Sequence, residues 1–192
     1  MKLLWIGMLL ASSAALAAPG KALGSNTAPV TIELFSDFEC THCATFYRET
    51  LQALVHDYVN TGKVYLIHRE FPLPGHKYSR RAAYYATAAA SIGRYEEVAG
   101  ALFLKQAWWS ANGEIEKVVA TVLTAAELAK VRKLALDPQI EAAVQKDFDA
   151  GAQAGVNQTP TMIVTHRLRT YPLSGSVSYS MLRRLLDGLL SQ

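Results

Sequence analysis

The sequence predicts an α/β fold with a long helical insertion between its second and third strands. Three patterns predict it. Apolar runs at 30–35 and 64–71 flank an amphipathic stretch at 44–59, the layout of a parallel strand–helix–strand unit. From 76 to 155 the periodicity is helical, too long for a simple crossover. Strand-like runs then return at 161–165 and 168–173, followed by a last amphipathic stretch at 178–190. The chain has 192 residues, 51% of them hydrophobic and 18% charged, enough to bury the core of one domain carrying an insertion. The net charge of +3 and the isolated pairs Arg80-Arg81 and Arg183-Arg184 read as solvated faces, so no nucleic-acid partner is expected.

Residues 1–17 read as a cleaved signal peptide. Lys2 gives the positive start, 3–10 the apolar run, and Ala15-Leu16-Ala17 the cleavage site. Ser12 and Ser13 interrupt the run short of the roughly 20 apolar residues of a membrane span. No Cys follows the run, so a lipid anchor is not expected. Export would place the chain in an oxidising space such as the periplasm.

Residues 21–26 read as a loosely ordered lead-in. Pro29 opens the first strand, where Val30, Ile32, Leu34 and Phe35 occupy both parities, so both faces should be covered. Glu33 interrupts that run, and a carboxylate there is costly without a partner or a role. The following helix carries Phe46, Leu51, Leu54, Val55 and Tyr58 at helical spacing and ends at Thr61-Gly62. The second strand, parallel to the first, closes at Pro72, Pro74 and Gly75. Helices are predicted at 78–92, 95–109, 114–123, 125–136 and 138–154. Asn112-Gly113 breaks the series, and Asp137-Pro138 caps and opens its last member. The third and fourth strands should be antiparallel about a His166-Arg167 turn, with Gly175 at the exit. Met181, Leu182, Leu185, Leu186 and Leu189 form the apolar stripe of the final helix, read as core.

The chemistry is concentrated in Cys40-Thr41-His42-Cys43, which holds the chain's two cysteines. The strand–loop–helix context puts Cys40 at a helix start, where free N–H groups and the helix dipole favour a thiolate. Cys43, nearly one turn on, lies close enough for the pair to cycle between dithiol and disulfide. Two cysteines so close cannot staple a long loop, which argues for a redox pair. Thr41 and His42 would set its reactivity, the histidine by donating to the Cys40 thiolate or by its own charge. A structural zinc site is the rival reading, but it needs a second ligand pair. His56, His68, His76 and His166 are scattered without ligand spacing and read as surface or satisfied side chains, His76 as the start of the helical block. Trp108-Trp109 reads as packing. No metal and no cofactor are expected.

A second stretch, Gly155 to Val164, contains Thr159-Pro160 before a β-branched apolar run. The two motifs together resemble the thioredoxin superfamily, more closely its DsbA-like branch, over nearly the whole mature chain. The resemblance implies a thioredoxin-like domain at 18–75 and 156–192 and a helical insertion at 76–155. It implies a cis Thr159-Pro160 peptide beside the cysteines, whose backbone pairs with an extended substrate strand. It also implies a buried acid beneath the site near Glu33. The expected activity is thiol–disulfide exchange, with Cys40 attacking and Cys43 resolving, on cysteine-containing exported proteins. A membrane redox partner would regenerate the pair, and a monomer is expected. Thr41 stands where DsbA itself has proline, and Thr before the cis-proline resembles isomerase-type members. The direction of exchange therefore stays open between an oxidase and a reductase or isomerase. A peptide-binding chaperone module is the reading outside exchange chemistry.

Overall fold

A computed structural model describes residues 20–192; the expected leader at 1–17 lies outside them. The described residues form a five-stranded sheet in the order β1-β3-β2-β4-β5, with β1 the two-residue strand Ala22–Leu23 at its edge. β2 (Val30–Ser36) and β3 (Val64–Glu70) are parallel, in register from Val30↔Val64 to Ser36↔Glu70. β4 (Thr161–His166) runs antiparallel to β2, and β5 (Arg169–Ser174) antiparallel to β4.

Strand alternation sorts the side chains between two layers. Val30, Ile32 and Leu34 of β2 pack with Phe46, Leu51, Leu54 and Tyr58 of the first helix and with Leu182, Leu186 and Leu189 of α9 (Tyr179–Leu190). Phe35 points the other way, to Phe71 and Val156. There α8 (Pro138–Gln153) lies directly on the sheet, because Gly151 has no Cβ; one built there would sit 2.6 Å from the Phe71 ring. Burial on both faces is why these strands read as nearly continuous apolar runs.

The helix after β2 is not uniform. It starts as α1 (Thr41–Phe46) and continues through π-helical turns at Tyr47–Leu51 and Val55–Val59 on either side of α2 (Gln52–Leu54). Phe46 and Leu51 are five residues apart, and a π turn is what returns such a pair to one face. Between β3 and β4 come α3 (Ser79–Ala90), α4 (Tyr95–Leu104), α5 (Gln106–Asn112), α6 (Ile115–Val119), α7 (Ala125–Leu134) and α8. Their apolar faces close on one another around Ala86, Leu102, Trp109, Val119 and Val131. Gly113 ends α5 in the left-handed conformation, a Thr124–Glu127 capping box starts α7, and Asp137 caps α8 ahead of Pro138.

Three features differ from the sequence reading. The lead-in is ordered: β1 (Ala22–Leu23) pairs antiparallel with β3, and Lys21 before it is fully buried. Its counter-ions, Asp147 of α8 and Glu70 of β3, are remote in sequence. The helix expected at 95–109 breaks at Lys105, which separates α4 from α5 and turns Gln106 and Trp109 inward. The hairpin between β4 and β5 turns one residue later than expected, at Arg167 (φ 46) and Leu168 (φ 65). Both turn residues are left-handed, as a two-residue type I′ turn requires, without the glycine or asparagine that usually marks it.

Candidate active site

The sheet delivers one short loop to the edge of the helical block. β2 ends at Ser36, and Asp37 begins the turn that carries Cys40, whose backbone N–H donates to Asp37 O at 3.1 Å. The Asp37 carboxylate is buried and organises the surrounding chain. Its oxygens accept from the N–H of Glu39 (2.7 Å), the N–H of Leu73 (2.7 Å), the Ser79 hydroxyl and the His76 ring (2.8 Å). From the far side, buried Gln106 of α5 donates from one Nε2 to the carbonyls of Phe38 (2.6 Å) and Cys40 (2.9 Å). Phe38 packs on Phe103 of α4, ring centroids 4.8 Å apart. The loop is thus held by the sheet beneath it and the helices beside it.

Cys40 is the N-cap of α1, and Cys43 lies in its first turn. Both are free thiols, Cys40 7% and Cys43 2% exposed. The Thr159-Pro160 peptide is cis, and the Cys40 Sγ lies 3.3 Å from Thr159 O, its hydrogen-bond acceptor. Thr159 Oγ1 is buried and, among the described residues, has no hydrogen-bond partner besides the cysteine sulfurs.

The two thiols are pushed in opposite directions. A hydrogen bond from Cys43 to the Cys40 sulfur is the largest influence on Cys40. Burial opposes it, and the Thr159 side chain with the backbone N–H groups of Cys43 and His42 reinforce it, holding Cys40 at about 5. Burial pushes Cys43 well above the ordinary thiol range, and its bond and Coulomb interaction with Cys40 push the same way. One thiolate shared by hydrogen bonding to one thiol is the arrangement this asymmetry describes.

Of the residues singled out in the sequence, Cys40, Cys43, Thr159 and Pro160 come together. Thr41 and His42 are exposed on the first turn; His42 acts on Cys40 through its backbone N–H, and its carbonyl accepts from Ser176 Oγ at 3.2 Å. Glu33 sits on the β2 face that carries Phe35, its side chain 29% exposed. Its Oε1 accepts from Arg69 Nε at 2.9 Å and Nη2 at 2.6 Å, and Arg69 also reaches Asp147 at 3.0 Å. Glu33 is thus an arm of a charge network running from Arg69 through Asp147 to Lys21. Asp37, His76 and Gln106 were not read from the sequence as site residues. The acid three positions before Cys40 was a usable signal for Asp37; nothing local marks Gln106, which the break at Lys105 turns inward.

The fold and the paired thiols define a thiol–disulfide oxidoreductase. The chain belongs to the thioredoxin family, whose model, described as Thioredoxin, matches residues 17–188, and it is similar to DsbA-like members. A curated relative from Bacillus anthracis, "Probable disulfide bond formation protein D", is 26% identical over 157 residues, 77% of this chain and 70% of the relative. A thioredoxin-like oxidoreductase from Silicibacter pomeroyi superposes with a TM-score of 0.73 at 26% identity, covering 89% of this chain and 92% of that one. The alpha-DsbA1 of Wolbachia pipientis has the same fold, with a TM-score of 0.76 at 20% identity over 89% and 90% of the two chains.

Proposed function

We propose that the protein forms disulfide bonds in other exported proteins, with Cys40 as the exchanging cysteine and Cys43 as its resolving partner. The observation that carries the reading is the geometry of the pair. Cys40 caps α1 with its Sγ 3.3 Å from the carbonyl of the cis Thr159-Pro160 peptide, and Cys43 follows in the first turn, more deeply buried. The opposite displacement of the two thiols agrees with it. A substrate thiolate attacks the Cys40 sulfur of the Cys40–Cys43 disulfide, and Cys43 leaves. A second substrate thiolate then attacks the substrate sulfur of the mixed disulfide, and Cys40 leaves as a thiolate. Two electrons pass from the substrate dithiol to the cysteine pair. A leaving thiol of low pKa departs fastest, which suits Cys40 to the second step. A thiol held protonated attacks slowly, so Cys43 seldom returns the substrate still reduced. Thiolate stabilisation favours the reduced protein and makes the disulfide a stronger oxidant.

In this reading the Thr159 backbone binds an extended substrate segment beside Cys40, with Pro160 shaping the loop and Thr41 and His42 facing the incoming chain. Residues 18–75 and 156–192 act as the thioredoxin-like domain, and 76–155 as the insertion that walls the site. A leader at 1–17 exports the chain to the periplasm or another extracytoplasmic space, where a membrane redox partner reoxidises a monomer. Equilibration with glutathione tests the direction. A midpoint more positive than about −180 mV supports the oxidase, and one near about −270 mV overturns it in favour of a reductase.

A further inference from the structure

The exchange chemistry proposed above uses neither the imidazole of His76 nor the carboxylate of Asp37. Yet the buried Asp37 gathers donors from the cysteine loop, from the turn after β3 and from α3. Among the described residues its carboxylate oxygens face only these donor groups, so it serves as an acceptor at every contact. His76 reaches it from the segment between β3 and α3, Nδ1 to Oδ2 at 2.8 Å, while its backbone N–H donates to Leu73 O at 3.0 Å. The ring is anchored at both ends of its residue and its side chain is only 32% exposed.

The negative groups that act on that ring are Asp37, which it touches, and Glu39 and Cys40, whose backbone N–H groups are bonded to the same Asp37. Glu39 also accepts from the backbone N–H of Tyr78. The neighbouring cation Lys77 is turned away over the Tyr78 ring, 4.9 Å from its centroid. Burial works against a charged imidazole here, but the bond to Asp37 and the negative charges of Asp37, Glu39 and Cys40 outweigh it and raise the His76 pKa. An electrostatic coupling is mutual: a thiolate that favours His76⁺ is favoured by it to the same extent.

We propose that His76, locked by Asp37, is a positioning residue whose positive charge stabilises the Cys40 thiolate from outside the Cys-X-X-Cys motif. The dyad ties the site's charge to the loop's shape, because the same carboxylate orients the ring and holds the Glu39 N–H one residue before Cys40. The inference rests on Cys40 being the low-pKa thiol of the proposed function. The effect needs both charges, so it operates from about pH 5, where Cys40 ionises, up to the pH at which His76 loses its proton. It is smaller than the influence of Cys43 or Thr159, since a partly exposed charge is screened.

The test is the pH titration of the reduced protein by thiolate absorbance, with and without His76→Gln, a variant that keeps a donor for Asp37. The expected result is a higher Cys40 midpoint in the variant. Its disulfide should also be about threefold weaker in oxidising glutathione near about pH 6.5, the difference closing by about pH 9. An unchanged midpoint overturns the inference, as does a difference that persists equally at the higher pH, which belongs to a structural role. A wild-type protein with no acidic thiol midpoint would instead overturn the assignment of Cys40 itself. A second measurement needs no variant: the His76 ring, followed by NMR, should titrate at higher pH in the reduced protein than in the oxidised one. Equal midpoints in the two redox states overturn the inference.

Discussion

At the scale of single residues, the chemistry follows from which sulfur sits at the helix start. Cys40→Ser should abolish exchange. Cys43→Ser should leave a protein that traps mixed disulfides with its substrates, visible on non-reducing gels. Trapping by the Cys40 variant alone would invert the two roles. Glu33 has a different expectation. Since its carboxylate is taken up by Arg69, Glu33→Gln should cost on the order of 1 kcal/mol of stability, with the pair partly screened by solvent. Exchange kinetics should hardly move; slower resolution of mixed disulfides at unchanged stability would place Glu33 on the proton path of Cys43 instead.

At the scale of elements, two segments do more than their length suggests. α5 reaches the active-site loop through Gln106, whose amide satisfies two buried carbonyls. Gln106→Ala should cost about 1–3 kcal/mol by stranding those acceptors. It should slow exchange as well, which denaturant unfolding and a glutathione turnover assay would separate. β1 is short, but it seats Lys21 between Asp147 and Glu70. Removing one partner of a buried ion pair costs about 3–5 kcal/mol, so Lys21→Ala should lower stability by that order. A loss well below 1 kcal/mol would mean the N-terminal segment is dispensable to the fold.

At the scale of the whole molecule, the redox pair couples to stability through pH. The Cys40 thiol is lowered from 9.0 to about 5 in the folded reduced protein, so the folded state binds fewer protons than the unfolded chain between those values. The reduced form therefore gains stability as pH rises above about 5, and loses that gain as pH falls through it. The oxidised form has no Cys40 proton to release, and a bond closing so short a loop constrains the unfolded chain little. Reduced protein should melt above oxidised protein at neutral pH, with the gap narrowing toward about pH 5. A calorimetric series in both redox states checks it. Glu70 acts with the opposite sign: burial raises it to about 7, so its contribution to stability declines as pH rises from 4.5 toward that value. The oxidised protein reports this slope without Cys40, and Glu70→Gln should flatten it.

The sequence by itself determined the elements whose physics is local. The parallel β2–helix–β3 unit follows from strands apolar on both parities, the helical series from its breaks at Gly113 and Asp137-Pro138, and the position of Cys40 from the strand–loop–helix junction. Tertiary structure alone decided what depends on groups far apart in sequence. Lys21 looked like part of a polar lead-in because its counter-ions lie on β3 and α8. The Arg167-Leu168 turn carries no turn signature because the register of β4 and β5 imposes it. Asp37, His76 and Gln106 join the site from a loop, a post-strand turn and a broken helix that converge only when the helical block closes on the sheet. A lone buried acid or amide gives no periodic signal, and its partners acquire meaning only once packing has excluded water from around them.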